Sequence, residues 1–183
     1  MKGAFYAMAG LILSVSVAEA QDIRWRSEIA TPGDYVTIDQ SQGGRIHHVF
    51  RGKSGRSFVI DSYRGKSPEG TPEFTTYADK NGNYLRWVRR DGYEIRYKPH
   101  DCTRTLGQCT YTEIHSDGKK NKRTRVTEAT RDGFSFGEFD DKGNYLFGGR
   151  LALDSHGWAG TGRIEGNQGV QKFRLVKSKF AKQ

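Results

Sequence analysis

The sequence has little of several things, and each scarcity excludes a class of protein. Two cysteines in 183 residues cannot build a knottin-type framework. Four prolines without a Gly-X-Y period exclude a collagen. After residue 20 no apolar run is long enough for a helix to cross a bilayer, which excludes a polytopic helical membrane protein. Leucine is sparse, and no stretch after residue 20 places apolar residues at i, i+3, i+4 and i+7. Coiled coils and helical bundles go with that absence. Acidic charge is short too: 21 Asp and Glu stand against 30 Lys and Arg, a formal net charge of +9. Such an excess favours anionic partners and solubility without specifying a fold.

What is present is glycine and aromatic residues: 23 Gly, 9 Tyr, 10 Phe and 3 Trp. Rings bury more apolar area per residue than aliphatic side chains do, so an aromatic core replaces the missing leucines. The dominant pattern is alternation with period two. In Tyr93-Glu94-Ile95-Arg96-Tyr97-Lys98 the rings and the isoleucine take one face and the charges the other, as in a half-buried strand. Leu85-Arg86-Trp87 and Phe173-Arg174-Leu175 repeat it. Turn signals separate the segments: Gly43-Gly44, Asn81-Gly82-Asn83, Asp91-Gly92, Asp117-Gly118, Asp132-Gly133, Lys142-Gly143-Asn144 and His156-Gly157. Strands are predicted near 23–30, 34–39, 45–51, 56–63, 72–78, 83–90, 93–98, 108–115, 123–130, 133–139, 144–153, 157–164 and 170–177. The only long connection is placed around Gly65–Thr71, where Pro68 and Pro72 argue for a surface loop. Short connections make sequence neighbours spatial neighbours. The predicted fold is therefore all-β, an antiparallel meander that closes or nearly closes into a barrel, with a β-sandwich as the alternative. Closure would remove the exposed edges that so many strands otherwise present.

One strand–turn–strand unit occurs twice. Asp79-Lys-Asn-Gly-Asn-Tyr-Leu85 follows Phe74-Thr-Thr-Tyr77, and Asp140-Asp-Lys-Gly-Asn-Tyr-Leu146 follows Phe136-Gly-Glu-Phe139. Two copies are too few for a stacking repeat array, so the repetition belongs to one sheet.

Residues 1–20 read as an address. Lys2, the apolar stretch Ala4 to Val17 and the small residues of Ala18-Glu19-Ala20 have the layout of a secretory signal peptide cleaved after Ala20. Residues 21–183 are then one all-β domain, exported to the periplasm or secreted. Export puts Cys102 and Cys109 where disulfides persist. Their C-x6-C spacing predicts a staple between the loop Pro99–Leu106 and the strand at 108–115. Closing so small a ring stabilises the fold by about 2.5 kcal/mol on the chain-entropy account.

Catalytic motifs are lacking. Adjacent His47 and His48 would point to opposite faces of a strand, and His100, His115 and His156 have no ligand-spaced partner. No metal site and no cofactor are expected. Asp154-Ser155-His156 holds the residue types of a hydrolytic triad, but triads are built from distant residues, and this tripeptide before Gly157 reads as a turn. Glu94, Glu113, Glu128 and Glu138 fall on predicted strands. They leave open a periplasmic hydrolase whose acidic and histidine residues assemble from separate strands.

The strongest local feature is basic. Lys119, Lys120, Lys122, Arg123 and Arg125 crowd a predicted hairpin tip and its second strand, and Arg86, Arg89 and Arg90 form a neighbouring cluster, with Arg96 and Lys98 beyond. If these converge, they attract anionic partners. Interleaved Trp87, Tyr93 and Tyr97 would suit single-stranded nucleic acid, but the alternation turns those rings inward and export argues against that partner. The architecture resembles lipocalin-like barrels without their N-terminal G-x-W, since Ile23-Arg24 precedes Trp25. No residue role is transferred on that likeness. The expected function is therefore non-catalytic binding. The ligand is either a small apolar or aromatic molecule inside the barrel or an anionic envelope component on its basic face.

Overall fold

The computed structural model describes Ile23 and residues 30–179. Twelve antiparallel strands follow one another: β1 (Tyr35–Gln40), β2 (Gly44–Ser54), β3 (Ser57–Arg64), β4 (Phe74–Ala78), β5 (Tyr84–Arg89), β6 (Glu94–Lys98), β7 (Gly107–His115), β8 (Lys120–Thr130), β9 (Gly133–Phe139), β10 (Tyr145–Leu153), β11 (Ala159–Gly166) and β12 (Gly169–Lys179). Each pairs with its sequence neighbour, and β12 returns to β1, so the sheet closes into a barrel. At the seam Ile38 faces Ile46 of β2 on one side and Leu175 of β12 on the other. The meander is thus the observed topology, closed and not a sandwich. The strand predicted over 23–30 falls mainly on residues outside those described.

The hairpins close as the turn chemistry requires. In the repeated unit Asp79 Oδ1 accepts the N–H groups of Asn81 and Asn83, while Asn83 Nδ2 donates to Asp79 Oδ2. Asp140 repeats the set with Lys142 and Asn144. Gly82 and Gly143 take the left-handed position of each turn, at φ 85° and 82°. A side chain there meets its own backbone, whereas glycine does not. Asp154-Ser155-His156 is a third copy: Asp154 Oδ1 accepts the N–H groups of His156 and Trp158. The tripeptide is a turn, with Oδ1 of its carboxylate taken by backbone N–H groups.

The loop expected at Pro99–Leu106 is a second long connection beside 65–73. It is stapled by Cys102–Cys109, with Cα atoms 5.4 Å apart. It is also hung on the first repeated turn. Arg104 N–H donates to Asn83 Oδ1 at 2.7 Å, and Tyr84 N–H to Thr103 Oγ1 at 2.9 Å.

Alternation sends one face of every strand inward, where three apolar clusters form: Phe50, Phe58, Ile60 and Ala78; Val36, Ile38 and Ile46; and Ile23, Phe134 and Phe136. Strands β9–β11 are threaded by glycines. At Gly133, Gly148, Gly149, Gly162 and Gly166 a Cβ would run into a carbonyl oxygen of the neighbouring strand. Only hydrogen allows backbones to come so close where a sheet bends sharply.

Candidate functional site

Strands β3 to β6 build one wall of an interior cavity of about 400 Å³, within the range of small-molecule sites. Ile60, Thr76, Ala78, Trp87, Ile95 and Tyr97 project into it by the two-residue alternation, with Phe74 beside Trp87. The Phe74 and Trp87 centroids lie 5.4 Å apart and those of Tyr84 and Tyr97 6.2 Å apart, in the tilted geometry aromatic pairs prefer. Trp158 leads into β11 and closes the far side, and exposed Tyr84 stands at the mouth.

Two side chains put strong polarity into this aromatic room. His48 lies between Phe74 and Trp158, at ring distances of 6.3 and 6.0 Å, with Nδ1 2.8 Å from Ser62 Oγ. Burial, with His47 adding to it, pushes its pKa down to about 4, so the imidazole is neutral at pH 7. Folding stability linked to His48 is therefore complete above pH 6.5 and is lost as pH falls from 6.5 towards 4, because the unfolded chain binds the proton first. Between pH 8 and pH 5 this linkage removes at most about 2 kcal/mol. Urea unfolding of wild type and His48→Gln at both pH values is expected to show a shallower pH loss in the variant. Equal slopes would mean His48 titrates normally.

Arg104 is the second polar group. It reaches the cavity from the stapled connection. Its Nη1 donates to the carbonyls of Ile23 at 3.1 Å and Gly157 at 3.4 Å, and its guanidinium lies 5.3 Å from the centroid of Phe134. No carboxylate of the described residues forms an ion pair with it. Burial lowers its pKa, yet a guanidinium starts so high that it stays charged. Asp154 adds some negative potential. The third turn has Trp158 where the other two have Asn83 and Asn144, so Asp154 Oδ2 is buried without a hydrogen-bond partner.

A second polar group lies inside the barrel on β7–β9. Arg125 Nη1 meets Glu138 Oε1 at 2.8 Å, and Tyr111 Oη donates to Glu138 Oε2 at 2.8 Å. The Arg125 guanidinium lies over the Phe136 ring at 3.9 Å. Burial raises the Glu138 pKa against the pull of Arg125. Arg123 Nε reaches Glu113 Oε2 at 3.1 Å, and Asn121 links Glu113 to His115, whose other nitrogen meets Tyr93 Oη at 2.7 Å. Both carboxylates are tied to arginines.

The basic residues singled out from the sequence divide accordingly. Arg123 and Arg125 turn inward, and Arg125 is only 8% exposed, so neither belongs to an outer patch. Here the expectation that cations face water is corrected: both faces of β8 are charged, and the inward one is balanced by Glu113 and Glu138. Lys120 and Lys122 stay exposed on the outward face, and Lys119 stays exposed at the tip. Pairing aligns Arg86 with Arg96 on β6, then Ile114, then Lys120, while Lys98 aligns with Thr112 and Lys122. Arg86 lies 3.8 Å over Tyr77 and, with Arg96, on Glu94. Arg89 is held by Asp91, and Arg90 by the carbonyls of Thr71 and Pro72.

His47 and His48 do take opposite faces, with His47 Nδ1 2.9 Å from Thr37 Oγ1. Among the described residues, the three of metal-ligating type gathered at Asp101, Cys102 and Cys109 include both sulfurs of the disulfide, so no thiolate remains there. Sequence reasoning foresaw the inward rings but not His48, Arg104 or Trp158 as their companions. No family model, no curated protein and no solved structure matches this chain.

Proposed function

We propose that the barrel is a binding protein that takes one small, largely aromatic or apolar molecule into its interior. The observation that carries the reading is the cavity itself: about 400 Å³, walled by Phe74, Trp87, Tyr97 and Trp158, with two polar groups placed to orient what enters. Pockets of this make-up, mostly apolar with a few fixed polar groups, are how proteins hold small ligands. Outward-facing charges at Arg96, Arg150, Arg163 and Arg174, each more than half exposed, give the exterior a solvated character unlike the apolar band of a lipid-facing barrel. The Cys102–Cys109 bond suits work in an oxidising compartment, as the signal-like leader suggests.

The basic outer face supports the anionic-envelope reading less well. With Arg86 and Arg96 both on Glu94, that face keeps Lys98, Lys120 and Lys122 as cations without a carboxylate partner among the described residues. The hydrolase reading meets two carboxylates already held by Arg123 and Arg125.

The neutral fluorophore N-phenyl-1-naphthylamine tests the interior reading. Titration into the folded protein is expected to give a saturable, single-site rise in emission. Thr76→Trp, which fills the room from β4, is expected to abolish it while the melting transition stays cooperative. No rise with the wild-type protein would overturn the proposal.

A further inference from the structure

We infer that the interior ligand is an anion, an aromatic or branched apolar body carrying one carboxylate that pairs with Arg104; this rests on the cavity being a binding site. Three observations converge. Among the described residues Arg104 is the one cation lining the cavity, and it makes no ion pair with a carboxylate of theirs. Elsewhere inside this barrel the arrangement differs: Arg123 has Glu113 at 3.1 Å and Arg125 has Glu138 at 2.8 Å. Asp154 adds negative potential at this guanidinium without pairing with it, and a bound carboxylate would supply the ion pair that a guanidinium out of water favours.

Second, Arg104 is held in place before any ligand arrives. Its backbone is fixed by Asn83 Oδ1, its connection is closed by the disulfide, and Nη1 is anchored on the carbonyls of Ile23 and Gly157. Those anchors engage Nη1 alone. Among the described residues none receives a hydrogen bond from Nη2 or Nε, and that part of the donor fork is the one that would meet a planar carboxylate.

Third, the remaining lining discriminates by charge. Neutral His48 accepts or donates one hydrogen bond without adding a second positive charge that would call for a dianion. The rings supply stacking area for the ligand's body. Asp154, whose Oδ2 lies 4.0 Å from His156 Nδ1, is not among the residues that line the cavity. A monocarboxylate on an aromatic frame satisfies all of these together.

Three probes of one shape decide the matter: naphthalene-2-carboxylate, naphthalene-2-carboxamide and the 2-naphthyltrimethylammonium ion, titrated calorimetrically into the full chain with its disulfide intact. The carboxylate is expected to bind at least tenfold more tightly than the amide, and the cation not at all. Arg104→Gln is expected to erase the preference, so that acid and amide bind alike, and Arg104→Lys to keep part of it. Should Arg104→Gln fail to melt cooperatively, the wild-type ranking and Arg104→Lys decide. Equal binding of acid and amide, or tighter binding of the cation, overturns the anion inference while the interior reading stands. Failure of all three probes and of the neutral fluorophore overturns both.

Discussion

Glu138→Ala is expected to destabilise the barrel by about 3–5 kcal/mol in urea unfolding, the usual penalty for removing one member of a buried ion pair. The carboxylate is 1% exposed and holds Arg125 on one oxygen and Tyr111 on the other. Its loss leaves a guanidinium and a phenol without their acceptor. The guanidinium cannot answer by releasing its proton, and strands β7, β8 and β9 prevent it from swinging to water. The paired substitution Arg125→Met with Glu138→Leu is expected to recover most of the loss, because well-packed apolar side chains often replace a buried pair at little cost. A single-variant penalty below about 1 kcal/mol would mean that water reaches this part of the interior.

The second large effect is steric. Gly149→Ala is expected to cost about 3 kcal/mol, at the upper end for overpacked sites, since the added Cβ meets the Arg163 carbonyl and lies 2.9 Å from the Ile164 Cα. Both are backbone atoms of β11 and have no rotamer through which to yield. Gly143→Ala is the matched control. Its φ of 82° is strained for alanine, but nothing lies within 4 Å of the new carbon, so only the left-handed penalty of about 1 kcal/mol applies. Thermal melts of both variants separate the two mechanisms. If the two fell equally, backbone crowding along β9–β11 would not be what those glycines relieve.

The strands were legible because their information is local. Period two in Tyr93–Lys98, and Asp-to-Asn turns around Gly82 and Gly143, need only a few residues to act, and the register follows once neighbours pair. Closure was legible from the short connections, although the count of strands it takes was not. Inward parity on β9 could have been followed from Phe134 through Phe136 to Glu138, which points the carboxylate into the core and asks for a cation on the next strand. On β8 the pattern is mute: Lys120 and Lys122 alternate with Asn121 and Arg123, polar on both faces, so no hydrophobic side marks the interior. Arg104 was out of reach for another reason. It lies on a connection whose path depends on Asn83 and Thr103, contacts made across some twenty residues of chain.

Arg104 sits between the two cysteines that close the ring on β7. The charge offered to a guest is therefore mounted on a covalent bracket. A thiol-rich solution would open that bracket while leaving the strand ladder closed, because no strand pairing runs through Cys102. The room would then keep its walls, and Arg104 would be held by Asn83, Ile23 and Gly157 alone. If Arg104 serves the proposed acid, the grip on it would rest on those hydrogen bonds where thiols abound and on the covalent ring as well where they are scarce.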